Sequence, residues 1–119
     1  MKLSDIETID MDKMPKYKAN YLRHWIDRAK TPSYIEPKNG CLACRVELIK
    51  NRGALKSGCK KCPMPVWSEH GYGCTDVGSS YLKWRMAIQD KKSLKAISRR
   101  ALDIVQDIID SPDAGWITD

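Results

Sequence analysis

The chain has 119 residues, of which 42% are hydrophobic and 30% charged, so it can build one small domain with a core and is not expected to be disordered throughout. No apolar run approaches the roughly 18 residues that a membrane span needs, and the acidic N-terminus lacks the apolar segment typical of a signal peptide. The formal net charge of +6 suits a phosphate backbone or an acidic partner, although an ordinary solvated surface also accounts for it.

Charge is unevenly distributed along the chain. Residues 15–62 hold twelve basic and three acidic side chains, and residues 90–100 hold five basic and one acidic. By contrast, residues 1–14 hold four acids against two bases, and residues 101–119 hold five Asp and no base. We therefore expect a basic body between two acidic ends.

Residues 1–14 are predicted to form an N-terminal arm. Ser4 and Glu7 have the spacing of a capping box, which can begin one short helical turn. Three apolar residues of this arm can dock on the body: Leu3, Ile6 and Ile9. A frayed terminus is the alternative.

The clearest helix is predicted over residues 15–30. Pro15 suits a first helical position, and Thr31-Pro32 ends the helix. The apolar half of its wheel consists of Tyr17, Tyr21, Leu22, Trp25, Ile26 and Ala29. Three basic residues recur every seven positions on the opposite face: Lys16, Arg23 and Lys30.

Residues 31–41 and 63–79 are rich in Pro and Gly and are predicted to be loops, with a short helix expected over residues 42–50. Ser79 or Ser80 can cap a further helix that runs to about residue 90. Its residues available to the core are Tyr81, Leu82, Trp84 and Ile88.

The last helix is predicted over residues 94–110, with Ser93 as its cap and Ser111-Pro112 as its end. Its apolar stripe consists of Leu94, Ile97, Ala101, Leu102, Ile104, Val105, Ile108 and Ile109. The helix begins with basic residues and ends with acidic ones, which opposes its macrodipole. This order indicates either a surface with two poles or chance. Trp116, beyond the helix, can fold back on the body.

These elements predict an all-α fold in which residues 15–119 form one small metal-binding domain of three to four helices. The metal motif spans residues 41–74 and would hold a loop together. Strands are not expected, because no alternating β-branched run occurs.

Two Cys-x-x-Cys pairs, separated by fourteen residues, are the strongest chemical signature. Two such pairs complete a tetrahedron of thiolates, for which zinc is the default ion. The candidate ligands are Cys41, Cys44, Cys59, Cys62 and Cys74, with His70 as a further candidate. Which four of them bind the metal stays open. The site is expected to be structural, because four thiolates leave no position for water.

Other chemistry for the cysteines remains possible. An iron–sulfur cluster is the main alternative, because Cys62-Pro63 matches the end of ferredoxin-type runs, although the tight three-cysteine run before it is missing. Disulfides are disfavoured by the odd count and the absence of a signal peptide, and a redox pair by the lack of a strand–motif–helix setting.

No catalytic template is complete in the sequence. The chain has only two histidines, His24 and His70, and it has neither a phosphate-binding glycine loop nor a nucleophile elbow. We therefore expect a protein without enzymatic activity.

The segment from Cys41 to Trp84 resembles a small Cys-rich family found in bacteriophages and prophage regions. The motifs that carry the resemblance are Cys41/Cys44, Cys59/Cys62-Pro63, Gly73-Cys74, Gly78-Ser79-Ser80 and Tyr81 through Trp84. The chain departs from the family in a longer gap between the pairs and in Ser80, where Pro is frequent. The resemblance implies a phage protein with a metal site that works in the bacterial cytoplasm, and it implies no reaction.

Two functions fit these features. The first is nucleic-acid binding, with phosphates contacted by Lys16, Arg23, Lys30, Lys56, Lys60, Lys61, Arg99 and Arg100, within basic segments that include residues 91–100. The second is a protein-interaction module that docks on a host enzyme or defence protein and inhibits or redirects it. If Trp25 and Trp84 are core, Trp67 and Trp116 remain available to a partner. The oligomeric state stays open.

Overall fold

The computed structural model describes residues 1–34 and 79–116. These residues form three α-helices, α1 (Lys16–Lys30), α2 (Ser80–Gln89) and α3 (Leu94–Asp110). Three short 3-10 helices accompany them: Leu3–Thr8, Met11–Lys13 and Asp113–Trp116. The two described stretches contain no strand, so the predicted all-α class is confirmed. The short helix predicted over 42–50 and the metal motif, residues 41–74, lie outside them.

Serine caps fix the starts of α2 and α3. The Ser79 hydroxyl accepts a hydrogen bond from the Leu82 amide at 3.1 Å, and the Ser93 hydroxyl accepts one from the Ala96 amide at 3.1 Å. Pro15 stands at the N-cap of α1, one position before the first helical residue, rather than at that position itself. The three predicted helices therefore agree with the structure to within one residue at each end.

The helices α1 and α3 lie antiparallel. Near the start of α1, the Lys18 ammonium donates to the Ser111 carbonyl just beyond the end of α3. Near the other end, the Ser98 hydroxyl of α3 donates to the Ala29 carbonyl of α1 at 2.6 Å. The helix α2 is joined to α3 by a tight turn and is antiparallel to it, because the Ser80 hydroxyl donates to the Asp107 carboxylate.

A cluster of aromatic rings forms the centre of the core. The Trp25 and Trp84 rings meet edge to face with centroids 4.8 Å apart, and the Tyr81 ring packs against both. The other buried core residues are Ile6, Tyr21, Leu22, Ile26, Ala29, Ala87, Ile88, Ile97, Ala101, Leu102, Ile104, Val105, Ile108 and Trp116.

Two apolar residues predicted to dock or pack are exposed to solvent over nearly half of their surface. Leu3 is 46% exposed and Leu94 is 45% exposed, because each stands at the first residue of its helix, where few neighbours reach it. In the arm, Ile6 is buried and Ile9 packs on the core. The predicted capping box is also wrong. The Asp5 carboxylate, not Glu7, accepts the capping hydrogen bond, and it comes from the Lys2 amide at 2.8 Å.

Trp116 is part of the core and is not available to a partner. It is only 1% exposed, its indole N–H donates to the Ser111 hydroxyl at 2.9 Å, and its ring lies 5.6 Å from that of Tyr21. The prediction that the tail folds back is therefore confirmed, and the interpretation of Trp116 as a free interface residue is wrong.

Candidate nucleic-acid interface

Six exposed cations gather at one end of the helix bundle. The antiparallel arrangement places the end of α1, the turn between α2 and α3, and the first half of α3 at this end. The Tyr34 hydroxyl also reaches across to donate to the Lys92 carbonyl at 2.8 Å, which ties the segment after α1 to that turn. We call this group the basic end: Lys30, Lys91, Lys92, Lys95, Arg99 and Arg100.

The predicted phosphate contacts divide into three groups. Lys30, Arg99 and Arg100 belong to the basic end. Arg23 lies midway along α1, where its guanidinium donates to the Asn20 side chain at 3.3 Å, and Lys16 lies at the opposite end, about 21 Å from Lys30 along the helix. Lys56, Lys60 and Lys61 lie outside the described residues. The predicted stripe of Lys16, Arg23 and Lys30 along α1 is thus exposed, but only Lys30 belongs to the basic end.

The opposite end of the bundle is acidic. Asp107, Asp110 and Asp113 lie on the last turns of α3 and just beyond it, and we call these three residues the acidic end. Asp107 accepts from Ser80, and Asp110 accepts from the Gln106 side-chain amide at 3.0 Å. The two poles that the charge order of residues 94–110 indicated are therefore two separate ends of the folded molecule.

A strained residue lies at the centre of the basic end. Lys91 adopts a left-handed conformation with φ of 51°, and no other described non-glycine residue has a positive φ. Its amide donates to the Ile88 carbonyl at 3.1 Å, and the Lys92 amide donates to the Ala87 carbonyl at 3.0 Å. This pair of bonds is the Schellman motif, in which the left-handed position is usually glycine. A lysine there costs conformational energy and adds a charge.

The termini of α3 carry charges that its macrodipole disfavours. Its first turn contains Lys95 and no acidic residue, and its last turn contains Asp110 and no basic residue. Negative charge at the start and positive charge at the end would stabilise the helix. The observed order is the reverse, and it adds positive charge to the basic end.

Lys18 compensates for this order at the end of α3. Its ammonium donates to the Ser111 carbonyl and the Asp113 carboxylate, both at 2.7 Å, and to the Ile109 carbonyl at 3.3 Å. Lys18 is only 3% exposed, so these three acceptors take up its hydrogen-bonding capacity away from water. Lysine is rarely buried, so Lys18 was not expected in the interior. The helical period nevertheless places Lys18 on the apolar face of α1, four residues before Leu22 and seven before Trp25, and that position is the signal that could have found it.

Arg28 packs over the aromatic core near the end of α1. Its guanidinium carbon lies 5.5 Å from the Trp25 ring centroid and 5.4 Å from that of Trp84, and its Nε donates to His24 Nε2 at 3.0 Å. Burial and the neighbouring Arg28 cation lower the pKa of His24, and Asp27 opposes them. His24 is thus held neutral as a hydrogen-bond acceptor, which is a structural role.

The basic end is only weakly neutralised within the molecule. Arg100 lies 3.8 Å from the Asp103 carboxylate, and both side chains are about half exposed, so the pair contributes little. In the part of the chain that the structure describes, no carboxylate lies within ion-pair distance of the other five cations. Their charge is directed to solvent or to a partner.

The predicted metal ligands are not among the described residues. All five cysteines and His70 lie in residues 35–78. Within residues 1–34 and 79–116, no group of three His, Cys, Asp or Glu side chains is arranged to hold a metal ion. The metal site therefore remains a prediction from cysteine spacing.

Comparison of the chain with family models, curated proteins and solved structures finds no match. Among the described helices, none is both long enough and apolar enough to cross a membrane.

Proposed function

We propose that this chain is a non-enzymatic nucleic-acid-binding protein that contacts phosphates with its basic end. The observation that carries the proposal is the gathering of six exposed cations at one end of the bundle, away from the acidic end. Clustered Lys and Arg side chains bind a phosphate backbone by displacing its condensed counterions. The start of α3 adds the partial positive charge of its macrodipole to the same surface.

Two local features favour this proposal over an ordinary solvated surface. Lys91 occupies a position that glycine would fill with less strain, and Lys95 occupies a helix start that an acid would stabilise. Both departures from local stability increase the positive charge of the same turn. Residues that break local rules in this way are expected at functional sites.

Two matched charge reversals test the proposal. The first variant, Lys95→Glu with Arg99→Glu, changes the basic end. The control, Lys13→Glu with Lys16→Glu, makes the same change in net charge at the other end of α1. With a fluorescent single-stranded oligonucleotide, we expect the first variant to lose at least about tenfold in affinity and the control less than about threefold. Equal losses in both variants, or no binding by the unaltered protein, would contradict the proposal.

A protein partner is the second candidate, and one observation favours it. Met86 is 51% exposed and Leu94 is 45% exposed, so apolar surface lies beside the basic end. An acidic host protein with apolar contacts would fit such a surface. Capture from a nuclease-treated bacterial lysate separates the two: a stoichiometric protein partner supports docking, and loss of all captured material supports nucleic acid.

The cysteine motif is proposed to hold one structural zinc ion, in a phage-encoded protein of the bacterial cytoplasm. The support is the spacing of the two Cys-x-x-Cys pairs and their resemblance to the phage family. Native mass spectrometry of protein purified without added metal tests the metal. One zinc per chain is expected, and two or more irons would replace zinc with a cluster.

A further inference from the structure

An open cleft of about 280 Å³ lies between α2 and α3 beside the basic end. Its apolar lining comes from Met86 and Ala87 of α2 and from Ala96 of α3. The two alanines leave the space, and Met86, which is 51% exposed, provides the largest apolar surface. The volume lies just below the range of pockets that hold a whole small molecule, so a single ring system is the size that fits.

The rim of this cleft is charged. Lys92 and Arg100 belong to the basic end, and Lys83, an exposed residue of α2, adds a third cation. Asp90, the C-cap of α2, contributes one carboxylate. The described lining of the cleft thus combines an apolar floor, three cationic side chains that can donate hydrogen bonds, and one carboxylate that can accept them.

We infer that this cleft holds one unpaired base of a single-stranded nucleic acid, with the neighbouring phosphates on Lys83, Lys92 and Arg100. The inference rests on the proposed function and makes it specific for single strands. A base has an apolar face that can lie against Met86 and the two alanines. In a duplex that face is covered by stacked neighbours, so only an unpaired base can enter a concave cleft.

Asp90 distinguishes a base from an acidic peptide as the occupant. An acidic side chain in the cleft would place its carboxylate beside that of Asp90, which costs electrostatic energy. A base instead offers amino and imino N–H donors at its edge, which a carboxylate accepts. Among the described residues that line the cleft, Asp90 provides the one carboxylate, and it is favourable for a base and unfavourable for an acidic peptide.

The test uses two neutral substitutions on the full chain. Met86→Ser removes the largest apolar side chain of the cleft without changing charge. Leu94→Ser is the matched control, because Leu94 is a similarly exposed apolar residue that does not line the cleft. Affinity is measured by fluorescence anisotropy with a labelled single strand of about 12 nucleotides, with the same strand in a duplex, and with a peptide of alternating Glu and Leu. Circular dichroism checks that each variant keeps its helices.

The unaltered protein is expected to bind the single strand more tightly than the duplex. Met86→Ser should lower single-strand affinity about threefold to fivefold, at or below the lower end of what an aromatic side chain contributes by stacking on one base, because Met86 offers a thioether and not a ring. It should leave duplex affinity and the salt dependence unchanged. Leu94→Ser should leave all three quantities unchanged.

The opposing results separate this inference from the function on which it rests. If the unaltered protein binds single strand and duplex equally, or if Met86→Ser has no effect on either, the base-binding cleft is wrong while nucleic-acid binding stands. If neither nucleic acid binds, the proposed function itself is wrong. Tighter binding of the acidic peptide that is lost in Met86→Ser would assign the cleft to a protein partner and overturn the inference.

Discussion

Lys91 is the residue at which local stability and charge conflict most directly. Lys91→Gly relieves the left-handed strain, and after allowing for the extra backbone freedom of glycine, we expect the free energy of unfolding to rise by about 0.5–1 kcal/mol. The same change removes a cation from the basic end, so affinity for nucleic acid should fall. Urea unfolding and anisotropy measure the two effects.

Lys92→Gly is the matched control for this prediction. It removes the same charge one position later, where φ is not positive, so it should weaken binding without any gain in stability. If Lys91→Gly stabilises the protein and leaves affinity unchanged, Lys91 has no part in binding.

Lys18 is predicted to be the most sensitive charged residue of the described structure. Lys18→Met keeps the length of the side chain but leaves two backbone carbonyls and the Asp113 carboxylate without their donor. We expect a loss of about 2–3 kcal/mol in the free energy of unfolding, measured by urea denaturation. Lys13→Met is the control, because its ion pair with Asp10 is exposed and 3.8 Å long, and its loss should be below about 0.5 kcal/mol. Equal losses of stability in the two variants would contradict the role of Lys18 as a buried hydrogen-bond donor at the end of α3.

His24 is expected to make stability depend on pH. Its pKa is lowered by burial and by Arg28, so the unfolded chain binds a proton more readily than the folded one. The resulting contribution to stability is complete above the ordinary pKa of 6.5 and is lost as pH falls through the lowered pKa. Protonation would also place a second cation against Arg28, whose Nε donates to His24 Nε2.

His24→Gln isolates this effect, because the glutamine side-chain oxygen can accept from Arg28 without titrating. Urea midpoints measured between about pH 7.5 and pH 5 should fall less in His24→Gln than in the unaltered protein. Asn20→Gln, at an exposed position of the same helix, changes no titrating group and serves as the control. A His24→Gln protein with the full pH dependence would assign that dependence to other groups.

At the scale of single elements, α3 carries the clearest consequence of charge order. Lys95→Glu replaces a cation with an anion in the first turn and should raise the free energy of unfolding by about 0.5–1 kcal/mol. Lys16→Glu makes the same exchange in the first turn of α1 and should stabilise by less, because the start of α1 lies against the acidic end of α3, where Lys18 contacts Ser111 and Asp113. Only Lys95→Glu should weaken nucleic-acid binding. Thermal unfolding measures the change in stability, and fluorescence anisotropy measures the change in binding. A Lys95→Glu protein that is less stable than the unaltered one would contradict the argument from the helix macrodipole.

The helices themselves could be predicted from the sequence to within one residue. Serine caps at Ser79 and Ser93 and the helical period of apolar residues are local signals, and they were sufficient for α1, α2 and α3. Two of the errors occur where an apolar residue stands at a helix start. Leu3 and Leu94 match the pattern but are nearly half exposed, because burial there depends on neighbours from other elements.

At the scale of the whole molecule, the charge poles depend on how the helices pack. The sequence shows that α3 is basic at its start and acidic at its end, but it does not show that Lys30 joins the basic side. That follows from the antiparallel contact between Ser98 and Ala29. The same contact excludes Lys16 from the cluster, although the helix wheel places it on one face with Arg23 and Lys30.

Contacts between distant residues explain the remaining misses. The buried role of Lys18 needs acceptors 91 to 95 residues later in the chain. The cleft beside Met86 exists only because Ala96 comes to face it from another helix. The position of Lys18 on the apolar face of α1 is a local signal of its burial but not of its acceptors, and the cleft has no local signal. The cysteine spacing is a local signal whose geometry lies outside the described residues.

The salt dependence of nucleic-acid affinity tests the central claim most directly. With six cations available at the basic end, the logarithm of the binding constant of a single strand should fall against the logarithm of salt concentration with a slope of roughly −3 to −4. Lys95→Glu with Arg99→Glu should make that slope shallower by about 1 or more, and the control at Lys13 and Lys16 should not change it. A slope near zero, or one that both double variants alter equally, would contradict the account.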